Sequence, residues 1–225
     1  MSGNAAISRG TQTLPSLRVT GMTLWQDGRR LTEPVSFLLP PSTVTCLIGP
    51  SGVGKSTLLH RLLEGSHRTS GEVTIYAASH TPGQSVALMS QRETLLPWLT
   101  AKENIVLGRK LSGVRATVTE DQLLELVQLS SLAHRYPDEL SGGEKQRLLL
   151  ARTLSLETPL ILLDEPFGKL DPTLRSELIA RFREWVMARS CAALVVSHQL
   201  DDVAILADRV LRLHGDPAVL SEGSV

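Results

Sequence analysis

The chain has 225 residues, of which 42% are hydrophobic and 20% charged, and its 23 basic residues are balanced by 23 acidic ones. That is apolar material for one large domain, or one domain carrying a subdomain, and a zero balance exerts no overall pull toward nucleic acid or anionic lipid. Runs such as Leu160–Leu163 and Ala192–Val196 fall far short of the ~20 apolar residues that span a bilayer, and the polar Met1–Gly10 lacks a signal-peptide core, so a soluble, cytoplasmic chain is expected.

Residues 1 to 15 read as a loose polar start. Two β-type stretches follow, Leu17–Leu24 and Val35–Leu39, joined by the turn-like Gln26-Asp27-Gly28. Trp25 stands at that junction and suits either a partly buried structural aromatic or a ring that stacks on a purine. Pro40-Pro41 breaks the chain ahead of Val44-Thr45-Cys46-Leu47-Ile48, an apolar run that reads as a buried strand.

Next comes Gly49-Pro50-Ser51-Gly52-Val53-Gly54-Lys55-Ser56-Thr57, and after it Leu58, Leu59, Leu62 and Leu63 recur at helical spacing toward a helix end near Gly65. Strand, glycine loop, helix is the setting in which Gly-x-x-x-x-Gly-Lys-Ser cradles a phosphate. Glycines let successive backbone N–H groups turn inward around an anion, and the helix N-terminus adds positive potential. In such a cradle Lys55 reaches the β- and γ-phosphates and the Ser56 hydroxyl binds Mg²⁺. A plain Gly/Ser turn with an exposed lysine explains the loop but not its flanks.

Gly71–Ala77 and Ser85–Met89 alternate as strands, and Gln91 follows the second at once. Beyond the apolar cluster Leu95-Leu96-Pro97-Trp98-Leu99, the chain is helical in character from Thr100 to about Arg135. Thr100 with Glu103, and Thr119 with Gln122, fit capping boxes. Leu140-Ser141-Gly142-Gly143-Glu144 opens a further helix to about Leu156. Ser141 and Glu144 also match a capping box, but a cap has no need of two glycines, so an anion-binding surface stands beside the plain cap.

Leu160–Leu163 is an all-apolar strand ending in Asp164-Glu165-Pro166, and a carboxylate at such a strand end beside a phosphate loop is where Mg²⁺ is held. Adjacent carboxylates point to opposite sides of a strand, so the two suit different tasks. Asp171 caps a helix that has Pro172 in its first turn. Residues 191 to 196 form another buried strand, ending in Ser197-His198, where a histidine is either a satisfied polar residue or a catalytic one. Asp208–Leu213 gives a last strand, and residues 214 to 225 a short polar tail. Cys46 and Cys191 lie in apolar runs without metal-ligand spacing and read as two buried, unpaired thiols, which suit a reducing compartment.

In this order the motifs resemble those of the ATP-binding subunit of ABC transporters, over nearly the whole chain. Gly49–Thr57 matches the Walker A loop, Gln91 the Q-loop, Leu140–Glu144 the signature and Leu160–Asp164 the Walker B strand. Glu165 matches the catalytic glutamate, Asp171 the D-loop aspartate, His198 the switch histidine and Trp25 the A-loop aromatic. The resemblance implies an α/β fold: a RecA-like P-loop NTPase core with an antiparallel β subdomain (residues 1–91 and 159–225) and a helical signature subdomain (residues 92–158). It implies ATP and Mg²⁺ as ligands, Gln91 together with Ser56 and Asp164 at the metal, and Glu165, His198 and Lys55 in catalysis. It also implies a head-to-tail dimer in which Ser141, Gly142, Gly143 and Asp171 face the other copy's nucleotide.

The family's small D-loop residues are here Gly168-Lys169, and Gln199 follows His198 where aspartate is usual. Leu95 to Gly108 is similar to importers of the nitrate, sulfonate and taurine type. The expected setting is therefore the cytoplasmic face of a membrane, with permease subunits docking near Gln91–Gly108 and an extracytoplasmic solute-binding protein in the same system. A soluble ATPase of this class acting on nucleic acid or ribosomes is the alternative, and the neutral charge counts against it.

Overall fold

Alternation along single strands sets the layers of the molecule. In the computed structural model, which describes residues 16–64, 70–76, 85–91, 95–112 and 117–223, Leu160 and Leu162 pack on one side of a sheet while Ile161 and Leu163 pack on the other. A strand buried on both faces must be apolar throughout, which is why these runs carry no polar residue. The expected polar start, Gly65 and Ala77 lie outside the described residues.

In chain order the elements are β1 (Leu17–Thr23), β2 (Trp25–Gln26), β3 (Arg29–Arg30), β4 (Val35–Leu39), β5 (Thr43–Ile48), α1 (Lys55–Glu64), β6 (Ser70–Ile75), β7 (Val86–Met89), α2 (Ala101–Ser112), α3 (Glu120–Leu126), α4 (Gly142–Leu154), β8 (Leu160–Asp164), α5 (Pro172–Ala188), β9 (Ala192–Val196), α6 (Leu200–Leu206), β10 (Arg209–Gly215) and β11 (Ala218–Gly223). The main sheet runs β11-β10-β5-β9-β8-β7. Strands β10, β5, β9, β8 and β7 are parallel, and β11 adds an antiparallel edge. A second, antiparallel sheet has the order β4-β1-β6.

One face of the main sheet packs against Leu58, Leu59 and Leu62 of α1 and against the small sheet. The other face shares a single core with the remaining helices, from Ile105 of α2 and Leu123 of α3 to Leu148 of α4 and Phe182 of α5. Phe182 meets Phe167 edge-on at 6.0 Å between ring centroids, a geometry that sets the positive ring edge of one against the negative face of the other. The helical stretch is broken up: α2 and α3 are followed by 3-10 turns at Ser130–Leu132 and Pro137–Glu139. Its capping boxes form, with Thr100 N–H donating to Glu103 (2.8 Å) and Thr119 N–H to Gln122 (2.9 Å). Arg147 of α4 donates to the Val127 and Gln128 carbonyls at 2.8 and 2.7 Å, closing the open C-terminal end of α3.

Two expectations change. The polar tail expected over residues 214 to 225 is, as far as residue 223, no tail, because the chain turns at Asp216-Pro217 and β11 pairs along β10 from Gly215↔Ala218 to Val210↔Gly223. Ala218 is buried and Leu220 packs on the core, so a weak period of two, given a ready edge, suffices for a strand. The Gln26–Gly28 turn is part of a hairpin, β2–β3, with Asp27 and Gly28 both at positive φ (49° and 79°) as a tight two-residue turn requires.

Candidate functional site

Much of the site stands at or just beyond the C-terminal ends of parallel strands, where the side chains leave the buried layers. The loop after β5 leads into α1, β7 leads to Ser90 and Gln91, β8 to Glu165, and β9 to Ser197 and His198. These ends border two adjoining clefts of about 650 and 590 Å³ that share Ser90, Gln91 and Asp164.

The first cleft is lined by Gly52, Gly54, Lys55, Ser56 and Thr57, with Trp25 and Gln26 at its rim. Pro50, Ser51 and Val53 form the outer turn of the loop, beside Arg29 and Asp216. Gly54 has φ +107° and Gly49 φ +153°, backbone that L side chains avoid. Trp25 is half exposed, and Thr57 lies 3.5 Å from the Gln26 side chain, tying the hairpin to α1. Lys55 is buried; its ammonium donates to the Gly49 and Pro50 carbonyls at 2.8 and 2.9 Å. These bonds hold the loop closed on itself and leave one N–H for an anion. Burial lowers the Lys55 pKa, against the charges of Glu165 and Asp164.

Asp164 is also buried, and burial raises its pKa while a hydrogen bond from Ser56 opposes the shift. Its Oδ1 has no hydrogen-bond partner. An orphaned carboxylate oxygen beside a serine hydroxyl is an oxygen donor set of the kind a hard dication takes, so these residues fit Mg²⁺.

The second cleft is bordered by Glu165 and His198, together with Gly142, Gln146 and Lys169. Parallel register pairs Asp164 with Val196, so the residues that follow on the two strands come side by side, and His198 Nδ1 lies 3.1 Å from Glu165 Oε1. Glu165 itself has φ +52°. Ser141 caps α4 in a complete capping box: its N–H donates to Glu144 at 2.7 Å and its hydroxyl accepts from the Glu144 amide at 3.3 Å. Ser141 and Gly142 are exposed, and open space surrounds the missing Gly142 side chain.

Lys55, Ser56, Gln91 and Asp164 are thus brought together, with Glu165 and His198 in the adjoining cleft. Ser141 and Gly143 line neither cleft, and Asp171 caps α5 with its side chain on the Leu174 amide (3.0 Å). Sequence reading passed over Gln146 and Arg175. Gln146 bonds the Glu165 carbonyl; Arg175 donates to Leu170 O (2.6 Å) and bonds Gln199. The available signal was helical spacing: each lies four residues past a motif residue, Gly142 or Asp171, on the same helix face.

The family model described as ABC transporter matches residues 32–168. The nitrate import ATP-binding protein NrtD of Synechococcus elongatus is 38% identical over 193 residues, covering 83% of this chain and 70% of that protein. The aliphatic sulfonates import ATP-binding protein SsuB 1 of Streptomyces avermitilis is 38% identical over 210 residues, covering 93% and 77%. Sulfate/thiosulfate import relatives are longer, and the chain spans 55% of their length. Among solved structures, an ATP binding subunit of an ABC transporter superposes with TM-score 0.78 at 26% identity, covering 93% of this chain and 90% of that one.

Proposed function

This chain belongs to the ABC transporter family, and we propose that it is the ATP-hydrolysing subunit that energises import of a small solute. The observation that carries the reading is a nucleotide site complete on one side only. A phosphate loop, an acidic pair and a histidine converge at the strand ends, while the Ser141–Gly143 surface is presented outward.

The loop amides and Lys55 bind the triphosphate, and Trp25 stacks on the base. Ser56 and Asp164 hold Mg²⁺, with Gln91 beside them, and the ion when bound neutralises charge on the β- and γ-phosphates. Glu165 orients the attacking water and accepts a hydrogen bond from it. His198 holds the Glu165 carboxylate in place and contacts the γ-phosphate. Two copies assemble head to tail, so that Ser141, Gly142 and Gly143 of one, next to its Asp171, close over the nucleotide of the other. Neither half is a complete site, and ATP bridges the isologous interface. Closure on ATP and opening after hydrolysis become the motion passed on to the permease.

The permease docks along Gln91–Gly108, a segment that presents Trp98 at 69% exposure, which supports that placement. The chain attaches to the cytoplasmic face of the membrane through the permease, and no described helix is long and apolar enough to cross a membrane. A solute-binding protein delivers the cargo from outside. A nucleic-acid ATPase is not favoured, since the relatives above are importer subunits.

The test pairs two variants. Lys55→Ala loses ATP binding or turnover. Glu165→Gln retains ATP and accumulates a dimer on a sizing column, because the closed pair cannot hydrolyse its bridge. Normal hydrolysis by either variant removes the proposal.

A further inference from the structure

Gln146, on the exposed-loop end of α4, makes two bonds that cross from the signature helix to the acidic strand end. Its Nε2 donates to the Glu165 carbonyl at 2.6 Å, and its Oε1 accepts from the Lys169 amide at 3.0 Å. Both ends of the carboxamide are therefore engaged, one on each side of the Glu165–Lys169 turn. Nearby, Gly143 backs onto the same turn: a Cβ there would lie 3.2 Å from the Lys169 carbonyl oxygen. The first turn of α4 and this loop are locked by close approach as well as by hydrogen bonds.

The residue gripped in this way is in an unusual state. Glu165 has φ +52°, a region sparsely populated by residues other than glycine, which persists only where the surroundings over-determine it. Two contacts hold its backbone apart from Gln146: its amide donates to the Val196 carbonyl (3.1 Å), and its carbonyl accepts a long bond from Gly168 N (3.4 Å). Gln146 supplies the short bond at the carbonyl.

We infer, building on the function proposed above, that Gln146 is a positioning residue that makes the aim of Glu165 depend on where α4 sits. The helix that presents Ser141–Gly143 to a second copy also holds, one turn further along the same face, the carbonyl of this chain's own water-orienting residue. A displacement of α4 by about an ångström breaks a 2.6 Å bond and releases Glu165 from the left-handed region, away from His198. Hydrolysis in one site is thereby conditional on the seating of the helix that lids the other.

The experiment uses the full chain carrying Gln146→Met, which keeps the length and removes both bonds, and Gln146→Glu, which still accepts from Lys169 but has no donor for Glu165. Turnover is expected to fall about tenfold to a hundredfold in both variants, with KM for ATP and the melting temperature unchanged. Adding Gln146→Met to Glu165→Gln should cost nothing further, because Gln146 acts through Glu165. A structure of Gln146→Met should show Glu165 at negative φ and out of contact with His198. Wild-type turnover in Gln146→Met, further loss on the Glu165→Gln background, or Glu165 unmoved at positive φ would each overturn the inference. A wild-type chain that fails to hydrolyse ATP would instead sink the functional proposal, and the Glu165 geometry would still decide this one.

Discussion

Gly49 lies directly beneath the backbone of Leu213: a Cβ at position 49 would come within 2.4 Å of the Leu213 carbonyl oxygen. The contact joins the start of the phosphate loop to β10, one strand away in the sheet, and the carbonyl belongs to a strand held on both sides. It has no room to retreat. Gly49→Ala should therefore destabilise the chain by about 2 kcal/mol or more, read from urea unfolding. Gly52, at φ +79° but in open space, should lose only about 1 kcal/mol as alanine. Equal midpoints for the two variants would refute the distinction.

His198 is exposed over 54% of its side chain and touches Glu165 at 3.1 Å, so its removal should disturb chemistry and not folding. His198→Ala is expected to lower turnover about a hundredfold, leaving the melting temperature as it was. Steady-state kinetics within twofold of wild type would remove His198 from the mechanism.

The capping glutamates set a pH dependence. Hydrogen bonds from Ser141 hold the Glu144 carboxyl below its ordinary 4.5, and bonds from Thr100 do the same for Glu103. Just below 4.5 the unfolded chain binds more protons than the folded one. The contribution is full above that pH and is lost as pH falls through the depressed folded values. Glu103→Gln and Glu144→Gln keep the cap without the titration, so the stability advantage of wild type over the double variant should shrink on acidification from pH 6 toward pH 3 (approximate window,). An advantage that grows instead would show the sign to be wrong.

Burial pushes the thiols of Cys46 and Cys191 up to about 12, and both are free and buried. Native protein should react with neither iodoacetamide nor a disulfide reagent at pH 8, since the thiolate is the reactive form, whereas both cysteines react in denaturant. Rapid labelling of the native chain at either position would contradict their placement.

Much of the site was legible because its chemistry is local. A glycine loop between a strand and a helix, and a carboxylate pair at the end of an apolar strand, are short segments whose spacing alone limits what they can do. The buried strands were legible as nearly continuous apolar runs, Thr45 of β5 being a polar exception, since a strand covered on both faces leaves few positions for polar side chains. β11 was not, because its alternation is weak and its strand state comes from pairing with β10. Gln146 was passed over for a related reason: a glutamine on a helix carries no signal until its partner's carbonyl is in view.

The sequence by itself determined where a phosphate-type glycine loop, an acidic pair and a histidine fall along the chain and, through their order, the family, because each motif is a short run whose spacing is written in consecutive residues. Only the tertiary structure decided how the parts divide. Parallel register sets Glu165 beside His198, and two hydrogen bonds carry α4 onto the turn after Glu165, while Ser141 stays outside both clefts. Register and helix seating are set by packing between residues far apart in the chain, which no local run of side chains encodes.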